Sequence, residues 1–214
     1  MRSGLVVVDL QNDFCTGPVA TARHGDPAKL ERLAANAARA IDLAREAGVE
    51  VVFVRFAGDV EFQRPSWRRR DRLLGKRPKC REGSWGAEFH RVAPAVGERV
   101  FTKRACFDAF LVDGFGGYLR HRGIGHLVFA GVYADVCVDS TARTAFQLGF
   151  HLTILTDCTT ALHRGDEEAV RFMEVVYGAR TATHDQPASW TRFPEEEDEW
   201  APPQTSTTES AGPR

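Results

Sequence analysis

Three side chains of reactive type stand at turning points of this sequence: Asp9 in VVVDLQNDF, Lys103 in RVFTKRACFDAF and Cys137 in GVYADVCVDSTARTAF. Their chemistries complement one another. A thiol becomes a strong nucleophile once it loses its proton, a carboxylate can take that proton and return it to a leaving group, and an ammonium steadies the thiolate. Such a set makes an acid–base pair plus nucleophile for covalent hydrolysis. Cys137 is predicted in the first turn of a helix, where unpaired backbone N–H groups and the helix dipole favour a thiolate, and a nearby ammonium should lower the thiol pKa further. Taken singly, each residue has an ordinary reading as buried thiol, turn cap or solvated strand end; the coincidence of all three at one sheet edge carries the expectation. Cys15, Cys80, Cys106 and Cys158 read as small buried hydrophobes.

The elements that must position these groups alternate along the chain. Gly4 to Leu10 is a valine-rich apolar run of strand length, of the kind buried on both faces of a sheet. Asp26 is predicted to cap a helix with Pro27 at its first position, an apolar stripe through Leu30, Leu33, Ala37 and Ile41, and a stop at Gly48. Val49 to Phe56 follows as a strand, then strands at Arg99–Lys103, His126–Gly131, Phe150–Thr156 and Ala179–Thr183. Helices are predicted at Gly116–His121, Val136–Leu148 and from Asp166 to about Tyr177. Six strands interleaved with helices predict an α/β fold, a three-layer open sheet of mostly parallel strands with helices on both faces. In such sheets ligands sit outside the carboxyl ends of the strands, where Asp9, Lys103 and Cys137 fall.

Two segments stand apart. Residues 57–86 read as a long loop with nine basic residues between Arg64 and Arg81 against the single acid Asp71, and with Trp67 and Trp85 in the same region. Such a loop is a solvated or subunit-contacting surface, or else an anion-attracting lid. From Glu195 the chain is acidic and then rich in proline, serine and threonine, so residues 1–194 are expected to form the domain and 195–214 a disordered tail. The whole chain carries a formal charge of -1, which advertises neither nucleic acid nor a membrane surface as partner. The N-terminal apolar run is too short for a signal-peptide core, so a soluble, cytoplasmic protein is expected. Five widely spaced cysteines without a CxxC pair predict free thiols, and seven scattered histidines without HxxxH or DxH spacing predict no structural metal. No cofactor is expected. Against 24 arginines there are only four lysines, Lys29, Lys76, Lys79 and Lys103, so a lysine in an ordered position is informative.

From Leu5 to about Thr183 the sequence resembles the isochorismatase-like cysteine hydrolases, which include nicotinamidases, N-carbamoylsarcosine amidohydrolases, and ureidoacrylate and biuret hydrolases. VVVDLQNDF resembles the family's opening motif with its catalytic aspartate at Asp9, GVYADVCVDSTARTAFQLGF its nucleophile motif with Cys137, and GSWGAEF a segment of the ureido and biuret branches. The resemblance implies an Asp-Lys-Cys triad of Asp9, Lys103 and Cys137, an oxyanion hole from the backbone N–H groups of Tyr133 and Cys137, and a cis peptide bond from Val132 to Tyr133. It implies a homo-oligomer, dimer or tetramer, and a small amide, ureido or lactam substrate cleaved at a carbon–nitrogen bond through a thioester. Phe14, Trp85 and Tyr133 are candidate walls around that substrate. Arg164 reads first as a solvated surface arginine and is also a candidate partner for a substrate carboxylate.

Three departures qualify the resemblance. The family's lysine stands three residues before an aromatic in K-x-x-[FY]-[SD]-[AG]-F; with FDAF at 107–110 that register falls on Arg104, and Lys103 is one residue early. Lys103 is preferred, because a one-residue bulge is easier than asking an arginine to exchange protons. Ala134 stands where threonine is usual. The metal-binding Asp-x-His of nicotinamidases is replaced by FAGDVEF, which makes nicotinamide a poor substrate. GVYA is also similar to the branch that cleaves vinyl ethers without a nucleophilic cysteine, so such a hydrolase, or a catalytically silent homologue that binds a ligand or partner, is the alternative function.

Overall fold

The computed structural model describes residues 1–16 and 27–194. The expected Asp26 cap and the acidic segment from Glu195 lie outside the described residues. Six strands form one sheet in the order β3-β2-β1-β4-β5-β6. They are β1 (Arg2–Val8), β2 (Glu50–Ala57), β3 (Arg99–Arg104), β4 (Ile124–Val132), β5 (His151–Thr160) and β6 (Arg180–Ala182). Every neighbouring pair is parallel. The helices are α1 (Pro27–Glu46), α2 (Pro65–Leu73), α3 (Phe115–His121), α4 (Asp139–Gln147) and α5 (Asp166–Tyr177), with a single helical turn at Asn12–Cys15.

Successive strand side chains point to opposite faces, so a run of consecutive apolar residues needs a core on each side. On β1, Leu5 and Val7 enter one core with Val51 and Phe53 of β2, filled by Leu30, Leu33, Ala37 and Ile41 of α1. Val6 and Val8 enter the other with Val52 and Val54, against Phe115 and Leu119 of α3, Ala142 and Ala145 of α4 and Met173 of α5. Burying one such aliphatic side chain contributes about 1.5–3 kcal/mol, so the four fully buried residues Leu5 to Val8 anchor the sheet centre. At Gly131 of β4, φ is 120° and an added Cβ would run into the Val8 carbonyl, so only glycine lets β4 lie this close to the end of β1.

The structure corrects three boundaries. β1 stops at Val8 rather than Leu10 because Asp9 turns into the left-handed region, with φ 51°. β5 runs on to Thr160 because its register against β4 jumps from Phe129↔Ile154 to Gly131↔Thr159, and the extra residues bulge out. Residues 57–86 are not a continuous loop: they contain α2 and short 3₁₀ turns at Val60–Phe62 and Trp85–Ala87. Pro65 starts α2 and arginines sustain it, but α2 lacks an apolar stripe, so periodicity could not reveal it.

Candidate active site

Asp9 leaves the end of β1 with its N–H donated to the Val54 carbonyl at 2.9 Å, which turns its side chain into the fold, where it is fully buried. Lys103, level with Phe56 in the β2–β3 ladder, is equally buried. Its Nζ donates to Asp9 Oδ2 at 2.6 Å and to the Phe107 carbonyl at 2.9 Å. Cys137 follows β4 in a wide π-type turn, Ala134–Val138, in which Val138 N–H reaches back to the Tyr133 carbonyl at 3.2 Å. The thiol interacts with both Asp9 and Lys103. The other Asp9 oxygen, Oδ1, has no hydrogen-bond partner of good geometry among the described residues. β1 and β4 are the neighbours at which the strand order reverses, the point where open parallel sheets leave a crevice. The Val132–Tyr133 peptide bond beside it is cis.

The site's electrostatics are dominated by burial. Desolvation pushes Asp9 above the ordinary carboxylate range, against the pull of Lys103. Burial draws Lys103 down, yet Asp9, and after it Cys137, hold its ammonium above the ordinary lysine range. The Cys137 thiol is pushed up by burial, with Lys103 opposing and Asp9 reinforcing the rise. The expected lowering of this thiol is therefore corrected: the helix-start and ammonium effects act on a sulfur with almost no solvent, and desolvation of the thiolate outweighs them. Burial thus favours the protonated form of the Cys137 thiol.

Lys103 and Arg104 take different surroundings. Arg104 is exposed, lies 3.6 Å from a Glu82 carboxylate oxygen and covers the Phe62 ring at 4.8 Å. The extra residue before FDAF is taken up at Ala105, whose φ is 46° and whose N–H still bonds the Ala57 carbonyl at 2.9 Å.

A cavity of about 610 Å³ opens on this cluster, lined by Asp9, Cys137, Phe14, Tyr133, Phe56, Trp67 and Phe107 among others. Phe14 and Tyr133, both singled out by the sequence, meet edge to face at 6.3 Å, and the Tyr133 hydroxyl donates to the Phe14 carbonyl at 2.6 Å. Trp85 and Arg164 are corrected. Trp85 is 62% exposed and does not line the cavity; GSWGAEF is instead a backbone docking segment. Asn12 Nδ2 donates to the Trp85 carbonyl at 2.9 Å, Gln11 Nε2 to the Ala87 carbonyl at 2.9 Å, and Gly86 lacks the Cβ that would collide with the Asp13 carboxylate. The residues after Asp9 in the opening motif thus hold that segment in place. Arg164 points its guanidinium over the Phe172 ring at 5.6 Å, outside the cavity. Its loop is placed by Asp135, whose carboxylate accepts the N–H groups of Leu162, His163 and Arg164.

Sequence reasoning missed Phe56, Trp67 and Phe107 as cavity walls. Trp67 stacks on Phe56 at 5.9 Å and meets Phe107 at 4.7 Å, with the Arg70 guanidinium 4.1 Å above its ring. A lone tryptophan within an arginine run was the available signal. Potential metal-ligating atoms of Asp157, Cys158 and His184 also come within 4.8 Å of one another, away from the cavity. There the Asp157 carboxylate is engaged by His184, through its N–H at 3.0 Å and Nδ1 at 2.5 Å.

Residues 3–186 match the Isochorismatase domain family. The chain is 33% identical over 175 residues to a ureidoacrylate amidohydrolase of Variovorax paradoxus (strain S110), covering 75% of this chain and 69% of that protein. It is 30% identical to the ureidoacrylate amidohydrolase of Agrobacterium fabrum, over 74% of this chain and 75% of the relative. Among solved structures, N-carbamoylsarcosine amidase from Thermoplasma acidophilum superposes with a TM-score of 0.72 at 27% identity, covering 86% of this chain and 98% of the other. With the matching domain spanning most of its length, the chain belongs to the isochorismatase family.

Proposed function

We propose that the protein is a cysteine-dependent amidohydrolase that cleaves a carbon–nitrogen bond of a small amide or ureide through a thioester. The observation that carries this reading is the buried Asp9–Lys103 pair, 2.6 Å apart, whose charges act on the buried thiol of Cys137 in the same cavity. Asp9, its basicity raised by burial, takes the Cys137 proton while Lys103 balances the charge that moves onto sulfur. Sulfur attacks the carbonyl carbon, and the backbone N–H groups of Tyr133 and Cys137 receive the developing oxyanion. Protonated Asp9 gives its proton to the departing nitrogen, which leaves as ammonia or an amine. The same carboxylate then deprotonates water, which attacks the acyl-sulfur bond; a carboxylic acid from an amide, or a carbamic acid from a ureide, departs and the thiol regains its proton. The relatives named as ureidoacrylate amidohydrolases and as N-carbamoylsarcosine amidase support carbon–nitrogen hydrolysis as the reaction class. The catalytic unit in this reading is residues 1–194, working in the cytoplasm as a homo-oligomer, with no nucleic acid, membrane, metal or cofactor required.

The test is Cys137→Ala, assayed by release of ammonia from small amides and ureides. Turnover is expected to vanish with the melting temperature nearly unchanged, since loss of one sulfur leaves a small cavity. Retained ammonia release overturns the covalent mechanism, whereas no ammonia release from the wild-type protein would favour the vinyl-ether type of hydrolysis, which needs no thiol.

A further inference from the structure

The catalytic cavity has a cationic side that the chemistry above does not use. Arg70, Lys76, Arg77 and Lys79 line it, with Asp71 as the one lining carboxylate besides Asp9. Asp71 is neutralised within the wall: its Oδ1 accepts Arg70 Nε at 2.9 Å and Nη2 at 2.6 Å. Asp9 and Lys103 cancel in the same way. Lys76, Arg77 and Lys79 are left, and none of these side chains has an ion pair or hydrogen bond among the described residues. Three uncompensated cations in a concave, partly dry site set up a field that a ligand anion satisfies.

Lys79 is the best held of the three. Its carbonyl accepts Gly58 N–H at 3.1 Å, and a Cβ on Gly58 would lie 2.5 Å from that oxygen, so only glycine permits the contact. The next residue, Cys80, donates its N–H to Asp13 Oδ2 at 2.6 Å. The backbone on both sides of the Lys79 side chain is thus tied to the end of β2 and to the turn that follows Asp9. Its side chain is half-buried, whereas Lys76 and Arg77 are exposed. A cation on a fixed backbone loses little freedom when it binds, and partial burial shields its interaction from salt. Arg164, a candidate anion partner in the sequence, lies outside the cavity, so the lining cations left unpaired among the described residues are those after α2.

We propose that Lys76, Arg77 and Lys79 form an anion subsite that selects amides or ureides bearing a carboxylate away from the scissile carbonyl, with Lys79 as the specificity-determining residue. The aromatic rings of Phe56, Trp67 and Phe107 line the same cavity and take the body of the substrate. This inference rests on the amidohydrolase reading for its substrate class, but its test reads binding and does not need turnover.

The experiment titrates the full-length Cys137→Ala protein by calorimetry with 3-ureidopropionate and with 3-ureidopropionamide, which match in size and differ in charge. At low salt the anion is expected to bind about tenfold tighter or better, and the ratio of dissociation constants is expected to narrow without reaching one as added salt screens the exposed Lys76 and Arg77 but not the half-buried Lys79. Lys79→Gln is expected to remove most of the ratio, and Lys76→Gln with Arg77→Gln, at exposed positions that tolerate exchange, to remove part of it. Equal affinities in the parent, a preference that survives both variants, or no binding of the anion up to about 10 mM overturns the subsite. Failure of wild-type protein to release ammonia from either compound, beside a charge preference lost in Lys79→Gln, overturns the amidohydrolase reading and leaves the subsite standing.

Discussion

Asp9 and Lys103 form an ion pair with no solvent around it, and such a pair behaves unlike a surface salt bridge. Each charge is tolerated because the other is present, so removing one strands the other in a low-dielectric site. Asp9→Asn is therefore expected to cost about 3–5 kcal/mol of stability as well as at least about a thousandfold in turnover, because an amide cannot carry the proton. Thermal melts read beside the assay separate the two effects; a turnover loss below about tenfold would assign Asp9 to structure alone. The lysine question is decided by a pair of variants. Lys103→Ala is expected to be nearly inactive and Arg104→Ala, whose guanidinium sits outside over Phe62, nearly normal. The reverse result would reject the Lys103 assignment. Residue types in the sequence suffice to nominate Asp9, Cys137 and one lysine. They could not say that the thiol pKa is raised, because desolvation depends on what packs around the sulfur.

At the scale of elements, the sheet is tied across its centre by a histidine. His126 on β4 bonds Ser3 Oγ of β1 through Nδ1 at 2.9 Å and Thr153 Oγ1 of β5 through Nε2 at 2.8 Å. Burial, with help from His151 and Arg180, lowers its pKa from 6.5 to about 4. The unfolded chain takes up this proton near pH 6.5 while the folded chain refuses it until about pH 4, so folding stability falls as the pH drops through that window. The loss should approach about 3 kcal/mol by pH 4. Urea denaturation at several pH values is expected to show this slope in wild-type protein and a shallower one in His126→Gln. Identical slopes would mean that His126 titrates as it does in the unfolded chain. The strands were legible as short, continuous apolar runs and the long helices through an apolar stripe of period 3.6. α2 was not, because Trp67 anchors it by aromatic stacking rather than through a repeating apolar face.

For the whole molecule, a formal charge of -1 conceals a strong separation: basic residues gather between Arg64 and Arg81, and five consecutive acids run from Glu195 to Glu199. The acidic run lies outside the described residues, and the hypothesis that its charge screens the basic segment is tested by removing it. A chain ending at Pro194 is expected to fold with an unchanged melting temperature, since it keeps the six-stranded sheet found among the described residues. It should bind 3-ureidopropionate more tightly than the full chain at low salt, the difference fading above about 0.2 M as the screening length falls below 10 Å. Equal affinities at low ionic strength would leave residues 195–214 without influence on the cavity. The sequence by itself determined the parallel sheet with helices on both faces, because buried strands and amphipathic helices advertise themselves through local pattern. It also nominated Asp9, Cys137 and a basic partner as candidate reactive groups, because few residue types can do nucleophilic and acid–base chemistry at strand ends. Only the tertiary structure decided that Lys103 rather than Arg104 meets Asp9, that Trp85 and Arg164 stand outside the cavity, and that Trp67 and Lys79 line it. Those outcomes depend on contacts between segments distant in the chain, such as Asn12 with Trp85 and Gly58 with Lys79, and no local periodicity encodes them.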